Sequence, residues 1–201
     1  MKKLKYIIPI TIITLGLATA CSPEDEQELP TYSPTIYFED FQKVIDGTFD
    51  ESAFVNVAET GTKKWFATSY KENGYYEFSP FQSNETVNVA WFVTPAINID
   101  SAVKKRLTFQ TAQHHVVNTE NNYIQVYVST NFTGDVTTAT WHEMENFNKP
   151  QIGGGFNYDF FNSGVVDLSA FNGNIHIAFK ATGGTASANA GAYMIDNIKV
   201  F

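Results

Sequence analysis

The chain has 201 residues and is acidic, with 21 Asp and Glu against 13 Lys and Arg, a formal net charge of −8 and one arginine, Arg106. Such a chain lacks the cationic patches that hold nucleic acid or anionic lipid. A single cysteine excludes a disulfide framework and a cysteine metal site, while 15% aromatic residues provide for a large apolar core.

The first twenty residues read as an export signal. Lys2, Lys3 and Lys5 precede an apolar run that ends in small residues and stops at Cys21. The run is shorter than the ~20 apolar residues of a spanning helix, an uncleaved anchor being the alternative. Leu17-Ala18-Thr19-Ala20-Cys21 resembles the lipobox of bacterial lipoproteins, in which the cysteine becomes the acylated first residue. Cys21 is therefore the expected lipidation site. One acyl chain anchors only marginally, whereas several hold firmly. The implied location is the outer membrane, reached through the lipid alone. Residues 21–35 are acidic and broken by Pro23, Pro30 and Pro34, which predicts an extended tether. Ser22 and the acidic run also resemble a surface-export signal of Gram-negative lipoproteins, and equally suit a solvated spacer.

From Ile36 to Phe201 the chain reads as one domain of short strands between turn residues. IYFEDF, KKWFATSY, GYYEFSPF and VAWFVTP come first; RLTFQTA, YIQVYVS and ATWHEM follow; GVVDLS, NIHIAFKAT and AYMIDNIKVF complete the series. In NIHIAFKA, Ile175, Ile177 and Phe179 alternate with His176 and Ala178. In YIQVYVS, Ile124, Val126 and Val128 oppose Tyr123, Gln125 and Tyr127. This period of two, without a long helix, predicts an all-β antiparallel β-sandwich. Two loops are loose, NKPQIGGGFNYDFFNSG and TGGTASANAG. Rim loops of this kind often carry function, although turns alone account for their glycines.

Several familiar chemistries are absent or fail on spacing. His142-Glu143-Met144-Glu145-Asn146 lacks the second histidine of a helical zinc motif and begins beside a strand. His114 and His115 are adjacent, so a regular strand would point them to opposite faces. No nucleophile elbow, phosphate-binding loop or dinucleotide fingerprint is present. No carboxylate pair is marked out for glycoside hydrolysis. Asp100-Ser101-Ala102 matches a short bacterial O-glycosylation pattern. In the final strand, strict alternation places Met194, Asp196, Ile198 and Val200 on one face, which sets a carboxylate among apolar side chains.

Taken in order, these segments resemble a family. Tyr37-Phe38-Glu39-Asp40-Phe41 opens the pattern. Trp91-Phe92-Val93-Thr94-Pro95-Ala96-Ile97-Asn98-Ile99 and Arg106-Leu107-Thr108-Phe109 follow. Val126 to Asn131 with Trp141, then Val166 to Gly173, Ile177-Ala178-Phe179 and Ile195-Asp196-Asn197-Ile198 complete it. The pattern is similar to the choice-of-anchor J group and the cleaved adhesin domains of gingipains, which are galactose-binding-like jelly rolls. The resemblance implies a non-catalytic monomeric adhesin or carbohydrate-binding module, with a glycan or a host or matrix protein as partner. It also implies a structural calcium ion held by Glu39, Asp40 and Asp196. Two other readings of Asp196 stay open: a carboxylate capping a bulge, or a strand offset toward water. Ligand contacts are expected from outward tyrosines, Tyr123 and Tyr127 beside Gln125, and Tyr75 and Tyr76 beside Gly74, although such rings also pack under loops or across strands. Trp65, Trp91 and Trp141 suit core or rim packing. The competing functions are a glycan-degrading enzyme or its accessory on the same scaffold, and an assembly subunit that pairs a sheet edge with a partner strand.

Overall fold

The computed structural model describes residues 33–201; the export signal, Cys21 and most of the acidic tether lie outside the described residues. Strands follow in chain order as β1 (Tyr37–Glu39), β2 (Val55–Thr60), β3 (Phe66–Tyr70), β4 (Asn73–Phe78), β5 (Asn88–Val93), β6 (Ile97–Asn98) and β7 (Arg106–His114). They continue as β8 (Tyr123–Ser129), β9 (His142–Glu143), β10 (Phe161–Asn162), β11 (Val166–Asp167), β12 (Asn174–Gly183) and β13 (Ala192–Val200). Single 3-10 turns at Gln42–Val44, Glu51–Ala53 and Ser187–Asn189 are the helical content of the described residues.

Two antiparallel sheets result. The first runs β10–β7–β13–β4–β3, with β1 on β13 and β11 on β7. The second runs β2–β5–β12–β8–β9, with β6 on β12. Their inner faces interdigitate: Phe109 of β7 meets Phe179 of β12 at 5.2 Å edge to face, and Tyr76 of β4 meets Phe92 of β5 at 4.3 Å. Each such ring contributes roughly 1.5–3 kcal/mol by leaving water. The predicted alternation holds in β8 and β12, where Ile124, Val126, Val128, Ile175, Ile177 and Phe179 are all in the core. Trp65 is also core, its indole N–H donating to the Ala90 carbonyl at 3.3 Å.

Besides the unexpected two-residue strands β6 and β10, and β11, which is all that GVVDLS contributes, the strands depart from the expected pattern in three places. Strand β2 is an addition, a half-buried edge strand on β5 with little alternating signal. The segment ATWHEM contributes only the two residues of β9. The third departure, in β13, shapes the site.

Candidate functional site

In β13, Tyr193 and Ile195 enter the core while Met194 packs with Tyr75 and Ala112 on the outer face of the first sheet. Asn197 then takes φ 51°, in the left-handed region that asparagine tolerates better than most residues. The register against β7 shifts between Asp196, opposite Gln110, and Lys199, opposite Thr108. This is a β-bulge, and it reverses the alternation, so that Ile198 and Val200 return to the core. Asp196 therefore does not share a face with Ile198 and Val200, as strict alternation had placed it. It lies with Met194 on the outer face, yet is only 1% exposed.

The bulge falls where β4 leaves β13 and β1 joins it: Ile195 pairs with Tyr76, and Ile198 pairs with Glu39. Asp196 Oδ1 accepts from the Asn197 backbone at 2.6 Å; Oδ2 accepts from the Asn73 and Asn197 amides, each at 3.0 Å. Burial pushes the Asp196 carboxyl up to about 7, and the nearby charges of Asp40 and Glu39 add to the rise against those hydrogen bonds. Burial likewise raises Glu39. Glu39 Oε1 accepts from the Phe41 backbone at 2.8 Å, and Asp40 Oδ1 from that of Gln42 at 3.1 Å. Among the described residues no three His, Cys, Asp or Glu side chains are grouped closely enough to hold a metal by themselves. The donor chemistry here nonetheless fits a hard cation. It is all oxygen and amide, and like charges already raise the proton affinity of the buried carboxylate.

Beside the bulge, the same face forms an open cleft of about 380 Å³. Its wall is a stacked pair, Tyr70 and Tyr158, with ring centroids 4.3 Å apart and planes at 24°. Tyr75 lies 6.5 Å from Tyr158 and meets Phe160 edge to face at 5.5 Å. Lys71, Asn73, Gln110 and Asp159 supply the polar lining, with the Lys71 ammonium 5.1 Å over the Tyr70 ring. Local sequence explains these positions. Lys71 and Glu72, at φ 47° and 60°, form a two-residue turn between Tyr70 and its strand partner Asn73, with both residues left-handed as a type I′ hairpin requires. Tyr158 and Asp159 come from the glycine-rich loop before β10. Gln110 accepts from the Asn197 amide at 2.9 Å, and Asn73 accepts from Gln42 at 3.0 Å. The two amides of the cleft are thus held by the bulge network.

The four expected ligand tyrosines separate. Tyr75 is in the cleft, 2% exposed. Tyr76 is a correction: it is fully buried in the core, its hydroxyl donating to Glu51 Oε1 at 2.5 Å, so it cannot touch a ligand. It points inward because Gly74 lies inside β4 and not in a loop; a Cβ there would collide with the Phe41 carbonyl oxygen. Tyr123 and Tyr127 are half-buried on the outer face of the second sheet, as alternation predicts. There Tyr127 packs at 5.3 Å on Trp91, which packs at 5.1 Å on Trp141 and lies 4.6 Å under Lys180. Glu143 accepts from Gln125 at 3.0 Å and from the Tyr127 hydroxyl at 3.3 Å. On this face Trp91, Tyr127 and Trp141 fill one another's contact surface, and Gln125, Tyr127 and Glu143 are hydrogen-bonded together.

A hollow of about 280 Å³ gathers Glu143, Glu145 and Asp167. Hydrogen bonds from the Ser169 backbone and hydroxyl hold Asp167 below the usual carboxylate range, the opposite of what a proton donor to a glycosidic oxygen needs. Ser101 of the Asp100-Ser101-Ala102 pattern is exposed in a turn, where Asp100 accepts from the Gly173 backbone at 2.7 Å.

These features define an all-β antiparallel sandwich of the jelly-roll type, with an aromatic cleft on one outer face. Neither a family model nor a curated protein matches the chain. Among solved structures, the chain is similar to the K1 cleaved adhesin domain of Lys-gingipain from Porphyromonas gingivalis W83. The TM-score is 0.53 at 17% identity, over 84% of this chain and 98% of that domain. The K3 cleaved adhesin domain of Lys-gingipain from the same organism gives a TM-score of 0.55 at 12% identity over the same shares. The K2 domain gives 0.51 at 12% over 82% and 98%. The shared property is the fold.

Proposed function

We propose that the chain is a lipid-anchored, surface-exposed binding module without catalytic activity, and that it takes a glycan in the cleft of Tyr70, Tyr75 and Tyr158. The carrying observation is the stacked tyrosine pair set beside two amides, one carboxylate and the Lys71 ammonium. A sugar ring offers an apolar C–H face to an aromatic wall and hydroxyls to groups such as Asn73, Gln110 and Asp159. Among the described residues, Asp159 is the one carboxylate lining the cleft, where hydrolysis of a glycosidic bond by the usual route takes two. That supports binding over turnover. Glu39, Asp40 and Asp196 are the residues that would hold a structural calcium ion. Bound there, calcium offsets the buried charge of Asp196 and ties the first strand to the last.

The test is a glycan array probed with the full chain in calcium, followed by titration of the best hit with wild type and Tyr158→Ala. A saturable hit weakened about tenfold by Tyr158→Ala supports the cleft. No hit, together with saturable binding to a matrix protein, would replace the glycan by a protein partner.

A further inference from the structure

His114 ends β7 and His115 follows it, so a regular strand would turn their rings to opposite faces. The structure brings them together. His115 has φ 57°, and this left-handed step at the end of the strand carries its ring back beside that of His114. The two Nδ1 atoms face each other at 3.0 Å, with ring planes at 90°. Two nitrogens held at about 2.0–2.1 Å from one tetrahedral ion lie about 3.3 Å apart. The pair therefore stands close to a chelating geometry.

A second observation points the same way. On the other side of the His114 ring, Nε2 lies 3.4 Å from Glu77 Oε1, with both side chains largely buried. A proton on Nε2, on the side that faces Glu77, leaves the His114 Nδ1 as a lone pair aimed at His115. A carboxylate behind a histidine is the support that metal-binding imidazoles receive, fixing tautomer and ring orientation. The two rings also line an open cleft of about 360 Å³ with Phe81 and Phe156. Phe156 is 76% exposed and stands edge to face 4.5 Å from His115. With two protein nitrogens as ligands, a four-coordinate ion would take water or an incoming donor at its other two positions.

We propose that His114 and His115 form a two-histidine site for a borderline divalent transition-metal ion, bound through the two Nδ1 atoms, with Glu77 as its orienting residue. Copper(II), nickel(II) and zinc(II) suit imidazole, whereas calcium takes oxygen ligands. The site is therefore chemically separate from the acidic cluster at Asp196.

The experiment titrates the full chain, with calcium present, against each of the three metals by calorimetry, and records the electron paramagnetic resonance spectrum of the copper form. One equivalent is expected, tightest for copper(II) as the general affinity order requires, with hyperfine coupling to two imidazole nitrogens. His115→Asn keeps a residue tolerant of the left-handed backbone and should abolish that equivalent. Glu77→Gln should weaken it by about 10–100-fold while leaving the two-nitrogen signature. His142→Ala, at an exposed histidine in β9, should change nothing. The proposal is overturned if no equivalent binds, or if the equivalent survives His115→Asn; the 3.0 Å contact is then a ring-to-ring hydrogen bond only.

Discussion

Asn197 donates its backbone N–H to the carboxylate of its own neighbour, Asp196, at 2.6 Å, from a left-handed backbone with φ 51°. One residue thereby makes the bulge, reverses the alternation of the last strand and supplies a partner for a charge the strand has just buried. Asp196 sits in an apolar-looking strand because the strand changes phase there, at the point where β1 replaces β4 as its neighbour.

The buried carboxylate sets a pH dependence. Its folded pKa is raised from 3.8 to about 7. Between roughly pH 4 and pH 7 the folded protein holds a proton that the unfolded chain has released, so stability falls as pH rises through this window and then levels. A tenfold change in proton affinity corresponds to about 1.4 kcal/mol, so a few kcal/mol is the ceiling. In chelator, Tm should be higher at pH 5 than at pH 8, and Asp196→Asn should flatten the difference. Calcium, if Glu39, Asp40 and Asp196 hold it, should raise Tm more at pH 8 than at pH 5. Calorimetry at the two pH values decides this; equal calcium shifts would remove Asp196 from the site.

The neighbouring glycine gives a structural test. A Cβ on Gly74 would collide with the Phe41 carbonyl oxygen and come within 3.3 Å of the Val44 Cβ. Phe41, at φ 50°, directly follows Glu39 and Asp40. Gly74→Ala should therefore cost roughly 1–3 kcal/mol by overpacking and displace the acidic turn. Urea unfolding measures the loss, and a calcium titration should show weaker binding in the same variant. Unchanged stability would mean that Phe41 is free to move.

Much of the fold was legible because β8 and β12 obey a strict period of two. Ile124, Val126 and Val128 in β8, and Ile175, Ile177 and Phe179 in β12, point where alternation sends them. The site was less legible, for reasons tied to particular residues. A bulge leaves no mark on hydropathy, and Asp196-Asn197 is an ordinary pair until Asn197 adopts positive φ. Gly74 beside two tyrosines looks like a turn, yet it is a strand residue kept small by a carbonyl from a distant segment. Tyr158 lies in a glycine-rich loop without periodicity, and only the folded chain brings it onto Tyr70. The repeated tyrosines of SYKENGYY and the NYDF segment of that loop were the available signal.

Tyr76 separates core from cleft. Its ring lies 5.0 Å from Phe41 and 4.3 Å from Phe92, and its hydroxyl bonds to Glu51, an exposed residue. Tyr76→Phe keeps the packing and loses one hydrogen bond to a group that water can still reach. It should cost about 1 kcal/mol in denaturant unfolding and leave ligand affinity unchanged. A loss of affinity without a loss of stability would contradict the buried placement of this residue.

The last prediction decides between the two outer faces. Tyr158 presents its ring to the open cleft, stacked on Tyr70. Tyr127 is packed on Trp91 and hydrogen-bonded to Glu143. An aromatic contact contributes about 0.5–1.5 kcal/mol beyond its buried area, and tenfold in affinity is about 1.4 kcal/mol. Tyr158→Ala should accordingly weaken glycan binding by about tenfold, with a loss of Tm from its contacts with Tyr70 and Tyr75. Tyr127→Ala should lower Tm by loosening the Trp91 cluster, and Tyr123→Ala should do less; neither should change the glycan affinity. Binding isotherms paired with melting curves for the three variants measure both effects. If Tyr123→Ala and Tyr127→Ala weaken binding while Tyr158→Ala does not, the ligand lies on the second sheet. Gln125, Lys180 and Glu143 then become its polar contacts.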